Sequence, residues 1–323
     1  MTESHSKASI FRQIFASSEG IRPGWSLALF LTIYSALTLG TQFAFATIPA
    51  LRAWSAAQPH GVITALSQIE FTGLELIILL IGVILVSRVE RRTFRDYGLS
   101  QTKTAGRRFA LGFIFGFGMA SALVGLIALD GGYAIRGLAI SGGEIASNAV
   151  LYGCGFLIVG FFEEFAFRGY MQATLQRGIG FWPAAIILSL LFGAIHLPNL
   201  KGAWFGAVVA ATFGLVAAFS LKRTDTLWFI IGLHAAFDWS NTFFYSSPIT
   251  GLTARGQLFN ANLHGPDWLT GGAAGPVESV MALIVMMLAG VLIHLTFPAA
   301  PSPACGPEGN PIEREKKVSS VGL

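Results

Sequence analysis

The chain has 323 residues, of which 53% are hydrophobic and 12% charged, against about 25% charged in a typical soluble domain. With a mean hydropathy of +0.63, so little charge cannot coat the two soluble domains this length would suggest, and the composition is that of a polytopic membrane protein. The net charge of +4 is scattered between apolar runs, which excludes a nucleic-acid partner, and the two cysteines, Cys154 and Cys305, exclude a disulfide framework.

A bilayer-crossing helix needs about 20 mostly apolar residues. After a polar N-terminal segment, 1–24, eight apolar segments follow: 25–46, 68–86, 109–129, 146–162, 182–197, 203–221, 227–244 and 277–297. The first is too long for the core of a cleavable signal and reads as a transmembrane helix. The fourth and fifth are short and carry ionisable residues at one end. Between the second and third, the basic stretch 89–99 reads either as an interfacial segment or as a solvated loop against anionic headgroups. The loop 245–276, rich in Gly, Thr and Asn, is the longest outer connection. The tail 298–323 is Pro-rich, then charged, and is expected to be disordered.

The expected fold is therefore all-α, with about eight transmembrane helices over 25–297 around a polar intramembrane cavity. Charge sidedness supports the count. With the N-terminus in the cytoplasm, 17 of the 21 lysines and arginines fall on the cytoplasmic side, and only Arg52, Arg136, Lys201 and Arg255 fall outside. That is the bias of the positive-inside rule. Both termini are then cytoplasmic, in a membrane expected to be a bacterial inner membrane.

Ionisable side chains within a bilayer cost roughly 2.5–3.5 kcal/mol at its centre and persist where they find partners, face a polar cavity or do chemistry. Three clusters stand out. In the first, Glu163-Glu164 with Arg168, Glu164 and Arg168 are four apart and share a helical face. Glu163 points about 100° away, towards another helix. One carboxylate held ionised by arginine and another desolvated is a pair suited to proton transfer, although snorkelling charges at a helix end would give the same pattern. The second is Phe192 with His196, closed by Pro198, where a structural histidine is the plain alternative. In the third, His234 and Asp238 are four apart on an apolar helix, so that the acid orients the imidazole or both hold a metal or water. Together the three supply what is needed to activate a water and stabilise an oxyanion, with or without zinc. Glu75 is the reserve candidate; Glu70, Asp130, Glu278, His264 and His294 read as interfacial or packing groups.

These motifs resemble the CPBP family of intramembrane proteases, which includes the type II CAAX prenyl endopeptidases and the bacterial Abi-type proteins. The family pattern is Glu-Glu-x-x-x-Arg, Phe-x-x-x-His and His-x-x-x-Asn or Asp. It is met here in order by Glu163-Glu164/Arg168, Phe192/His196 and His234/Asp238. Asp96-Tyr97-Gly98-Leu99 supplies a Gly-Leu step that is also common in the family. The resemblance covers about 95–245. It implies that Glu163 activates the attacking water with His196 as partner, that Glu164 and Arg168 hold Glu163 in place, and that His234 and Asp238 stabilise the oxyanion. Zinc held by Glu163, His196, His234 and Asp238 is one version, and a metal-free glutamate-activated water is the other. Asp238 stands where other members carry asparagine.

The expected function is hydrolysis of a peptide bond in a membrane-associated substrate, including CAAX-like lipidated proteins. Water is expected to arrive from the cytoplasm, because Glu163 ends its apolar run. Two alternatives use the same cavity differently: a non-catalytic immunity or scaffold protein, and a proton-coupled transporter. Gly-x-Ser-x-Gly and His-Glu-x-x-His motifs are absent from the sequence, which disfavours serine and site-2 type designs.

Overall fold

A computed structural model describes residues 16–17, 20–58, 61–100, 103–199 and 204–298. Most of the N-terminal segment 1–24 and nearly all of the tail 298–323 lie outside them. Every one of the eight apolar segments is helical. Helix α1 (Pro23–Thr47) is followed by the short α2 (Pro49–Ala56), then by α3 (Ala65–Glu90) and α4 (Ala105–Leu129). Helix α5 (Gly143–Glu164) runs through a π-helical stretch, Phe165–Met171, into α6 (Gln172–Ile179). There follow α7 (Phe181–His196), α8 (Trp204–Thr224), α9 (Trp228–Trp239), which is extended by a π turn at Ser240–Phe244, and α10 (Val280–Thr296).

Five of these are long and apolar enough to cross a bilayer unaided: α1, α3, α4, the continuous Gly143–Ile179 and α8. Helices α7 and α10 are apolar but shorter, and α9 has 12 residues before its π turn.

Helix α9 is the centre of the bundle. Its residues from Phe229 to Phe237 are all buried, as a helix that is apolar on every side must be. Small residues let its neighbours approach closely. A Cβ on Gly112 would lie 1.9 Å from the Phe229 carbonyl oxygen, and one on Gly116 would lie 2.1 Å from that of Leu233. From the other side, a Cβ on Gly232 would lie 2.3 Å from the Phe109 oxygen. The Gly112-x-x-x-Gly116 step on α4 thus seats α9 backbone to backbone, the packing that membranes favour where no hydrophobic drive exists between helices. It fixes the height and rotation of His234.

The basic stretch after α3 is not an interfacial helix. Glu90 ends α3, Arg91 takes a left-handed conformation, and a 3₁₀ turn at Phe94–Tyr97 brings Tyr97 into the core at 2% exposure. At the opposite end, strands β1 (Tyr133–Leu138) and β2 (Phe259–Leu263) pair antiparallel, joining the loop after α4 to the long loop after α9.

One expectation needs correction. Arg168 is not a cytoplasmic loop residue: it is 3% exposed, inside the long helix. Glu163 ends its apolar run but not its helix, which continues to Ile179. Polar Glu163, Glu164, Gln172 and Arg177 break the apolar run without breaking the helix.

Candidate active site

The sequence brings its motifs together at one cavity of about 220 Å³, well above the roughly 10–15 Å³ that one water requires. Glu163, His196, His234 and Asp238 all line it. Glu164 and Arg168 lie behind that wall, buried to 0% and 3% exposure.

Glu164 is the hub. Its Oε1 accepts from Arg168 Nη1 at 3.2 Å and from His234 Nδ1 at 2.7 Å. The intrahelical pair follows from the four-residue spacing, and the π-helical stretch beginning at Phe165 carries Arg168 into the core. Such insertions are rare and recur at functional sites. Arg168 is caged by aromatic faces, with its guanidinium carbon 4.4 Å from the Phe192 ring centre. A Cβ on Gly214 would come within 2.9 Å of Arg168 Nη2, so the bare backbone of α8 makes the room. Among the described residues, Arg168 Nη2 and Glu164 Oε2 have no hydrogen-bond partner.

His234 is 6% exposed. Its Nε2 lies 3.4 Å from Asp238 Oδ2 and 3.8 Å from Glu163 Oε2. Carboxylates only accept, and a neutral imidazole donates from one nitrogen alone. With oxygens of Glu164 on one side and of Asp238 and Glu163 on the other, the doubly protonated ring fits this site. His234 is therefore a hydrogen-bond donor.

His196 has the opposite character. Its Nδ1 is 2.7 Å from the Phe192 carbonyl oxygen, which can only accept, so Nδ1 carries hydrogen and Nε2 the lone pair. The Phe-x-x-x-His spacing supplies this bond: the residue four before the imidazole offers its carbonyl. Of the adjacent pair Glu163 and Glu164, Glu163, with 21% of its side chain exposed, is the one that lines the cavity.

Among the described residues, the four expected to hold zinc included, no group of three or more His, Cys, Asp or Glu side chains is arranged to hold a metal ion.

Two further carboxylates share the cavity, Glu75 and Glu278. Glu75, the reserve candidate, reaches it from α3. Glu278, read as an interfacial or packing group, is 5% exposed, and its Oε1 accepts from the Thr250 backbone N–H at 3.1 Å. The signal was faint, since an acid just before a helix looks like an ordinary N-terminal charge. Ser279 is the residue that caps α10.

The cavity also lies at the end opposite the one expected. It is lined by the first half of α3 (Gln68, Thr72, Glu75), the first half of α8 (Val209, Phe213), the last turn of α7 and the loop residues Ile249 and Thr250. The basic residues Arg88, Arg177, Lys222 and Arg223 lie at the other ends of these helices.

The structure is a helical bundle with five helices long and apolar enough to cross a membrane, in which Glu and His side chains share one cavity backed by a buried arginine. Residues 145–240 match the family model described as Type II CAAX prenyl endopeptidase Rce1-like. That segment holds all six motif residues. Among curated proteins, none matches the chain.

Proposed function

We propose that this chain is an intramembrane endopeptidase that hydrolyses a peptide bond with a water activated by Glu163. The observation that carries this reading is the pairing of opposite roles on one cavity: an acceptor Nε2 on His196, a donor Nε2–H on His234, and Glu163 lining the same space, 3.8 Å from His234. Glu163 takes a proton from water as the oxygen attacks the scissile carbonyl carbon, with His196 positioning that water. The carbonyl oxygen gains negative charge and is stabilised by His234 Nε2–H, held in place by Glu164 and Arg168. Such preorganised donation to a developing oxyanion is worth about 2.7–4 kcal/mol per donor. When the carbon–nitrogen bond breaks, Glu163 passes its proton to the leaving amine, leaving a new carboxylate and a new amino terminus.

The substrate is a membrane-associated polypeptide, as the likeness to CAAX prenyl endopeptidases supports. We further propose, from the positive-inside bias, that the Lys/Arg-rich end is cytoplasmic, with both termini there, so that the cavity occupies the outer half of the bilayer.

The test is cleavage of a reporter peptide in detergent by the wild type and by Glu163→Gln, in water enriched in ¹⁸O and with a chelator present. The reading expects one solvent oxygen in the product carboxylate, no dependence on the chelator, and a loss of about 10²–10⁴-fold in rate for the variant. A Glu163→Gln chain that still cleaves would overturn it. Substrate flux without cleavage would make the chain a transporter.

A further inference from the structure

The second carboxylate pair of the cavity, Glu75 and Glu278, has no part in the hydrolysis above. Glu278 is placed where an acid is costly. It is 5% exposed, it lines the cavity, and among the described residues its Oε2 has no hydrogen-bond partner. A buried oxygen left unmatched carries a desolvation penalty that a ligand donor would relieve. Across the same space stand Glu75, Glu163 and Asp238, and among the described residues no lysine or arginine lines the cavity. Glu164, behind the cavity wall, already gives its Oε1 to Arg168 and His234. Asp238 adds a charge where the family pattern also allows asparagine.

This rests on the protease reading and sharpens its substrate class. We infer that Glu278, with Glu75, makes the cavity a receptor for a substrate segment bearing a positively charged group, and that it discriminates against a segment ending in a free carboxylate. Acids facing a desolvated space reward an ammonium or guanidinium with short charge-assisted bonds, and like charges brought together there are costly. A C-a-a-X substrate ends in a carboxylate at its last residue. On this account the preferred segment is internal to its chain or cationic, even though the domain is Rce1-like.

The experiment separates this inference from the protease reading by measuring binding rather than turnover. Glu163→Gln protein in detergent is titrated with three fluorescent peptides of one apolar sequence. Their C-termini are amidated, and they differ only in a central Lys, Gln or Glu; a fourth is the Gln peptide with a free C-terminal carboxylate. One hydrogen bond to a charged group corresponds to about tenfold in affinity. The expected order is therefore Lys tightest by about that factor over Gln, with Glu and the free carboxylate weakest. Adding Glu278→Gln should bring the Lys peptide down to the level of Gln. Glu75, which lines the cavity yet is itself exposed, gives a second variant, Glu75→Gln, whose folding does not depend on a buried acid, and it should shift the same ratio in the same direction. Equal binding of all four peptides would overturn the inference, as would a Lys preference that survives both variants. Neither outcome touches the cleavage test of Glu163.

Discussion

Two arginine–glutamate pairs involve the same long helix and are completed in different ways. At the end near Ile179, Arg177 Nη2 donates to Glu90 Oε1 at 2.8 Å, and Ser26 Oγ donates to that oxygen at 2.5 Å. The other oxygen of Glu90 accepts from the Tyr97 hydroxyl at 3.3 Å, and that hydroxyl accepts in turn from Ser87. Four separate segments meet there: α1, α3, the Phe94–Tyr97 turn and α6. Both oxygens of Glu90 are matched, and neither residue of the pair lines the cavity. One turn past Glu163 the second pair, Glu164–Arg168, is left incomplete on both sides, and its shared partner His234 opens onto the cavity. A carboxylate with both oxygens matched, away from the cavity, ties helices together, even though Arg177 Nε has no partner among the described residues; one with an unmatched oxygen behind the cavity wall holds His234 towards a substrate. The same residue types serve both, and what separates them is whether the carboxylate is fully matched and whether its partner reaches the cavity.

The largest expected effect is on the incomplete pair. Arg168→Ala strands a buried Glu164, a change that costs about 3–5 kcal/mol. It should lower both the unfolding midpoint in detergent and the cleavage rate per folded molecule, since Glu164 then loses its hold on His234. If cleavage per folded molecule were unchanged, His234 would not need that support.

Arg177→Met tests the other side of the comparison. It leaves Glu90 with hydroxyl partners only, and we expect a loss of about 1–3 kcal/mol in denaturant titration. Cleavage per folded molecule should stay at the wild-type value. A specific loss of turnover would mean that the two clusters are coupled.

Tyr97→Phe removes one hydroxyl from the same cluster. The expected cost is about 1 kcal/mol, seen as a small drop in thermal midpoint with no change in turnover.

The smallest effect is a pH dependence at the Thr93–Asp96 capping box. The Thr93 backbone N–H donates to Asp96 at 2.7 Å and holds this exposed carboxyl below its usual 3.8. The folded form therefore binds this proton more weakly than the unfolded form. Its stabilisation is present above pH 3.8 and is lost as pH falls through the folded value. Midpoints of the wild type and Asp96→Asn should differ slightly near neutrality and converge in acid; a gap that widened in acid would reverse the sign.

Much of this was legible in the sequence, for identifiable reasons. Apolar runs of about helix length became helices because backbone groups in lipid must be satisfied within the segment. The three motifs marked their residues because charge inside an apolar run is costly wherever the fold places it. The sequence could not show where the cavity opens. Glu163 looked terminal because polarity breaks an apolar run, but helicity depends on packing, and buried aromatic residues such as Phe165 and Tyr170 carry the helix on. The π-helical stretches at Phe165–Met171 and Ser240–Phe244 leave no periodic signature over so few residues. Glu278 stands 40 residues beyond Asp238, and only the loop's return over the cavity brings them together.

The most direct test of the distinction between the clusters sets Glu163→Gln beside Glu90→Gln, with reporter cleavage and thermal unfolding measured on the same detergent-purified samples. The account predicts that Glu163→Gln abolishes cleavage with an unfolding midpoint close to wild type, while Glu90→Gln lowers the midpoint and cleaves normally per folded molecule. Cleavage retained in Glu163→Gln, or lost in Glu90→Gln at full folding, would contradict it.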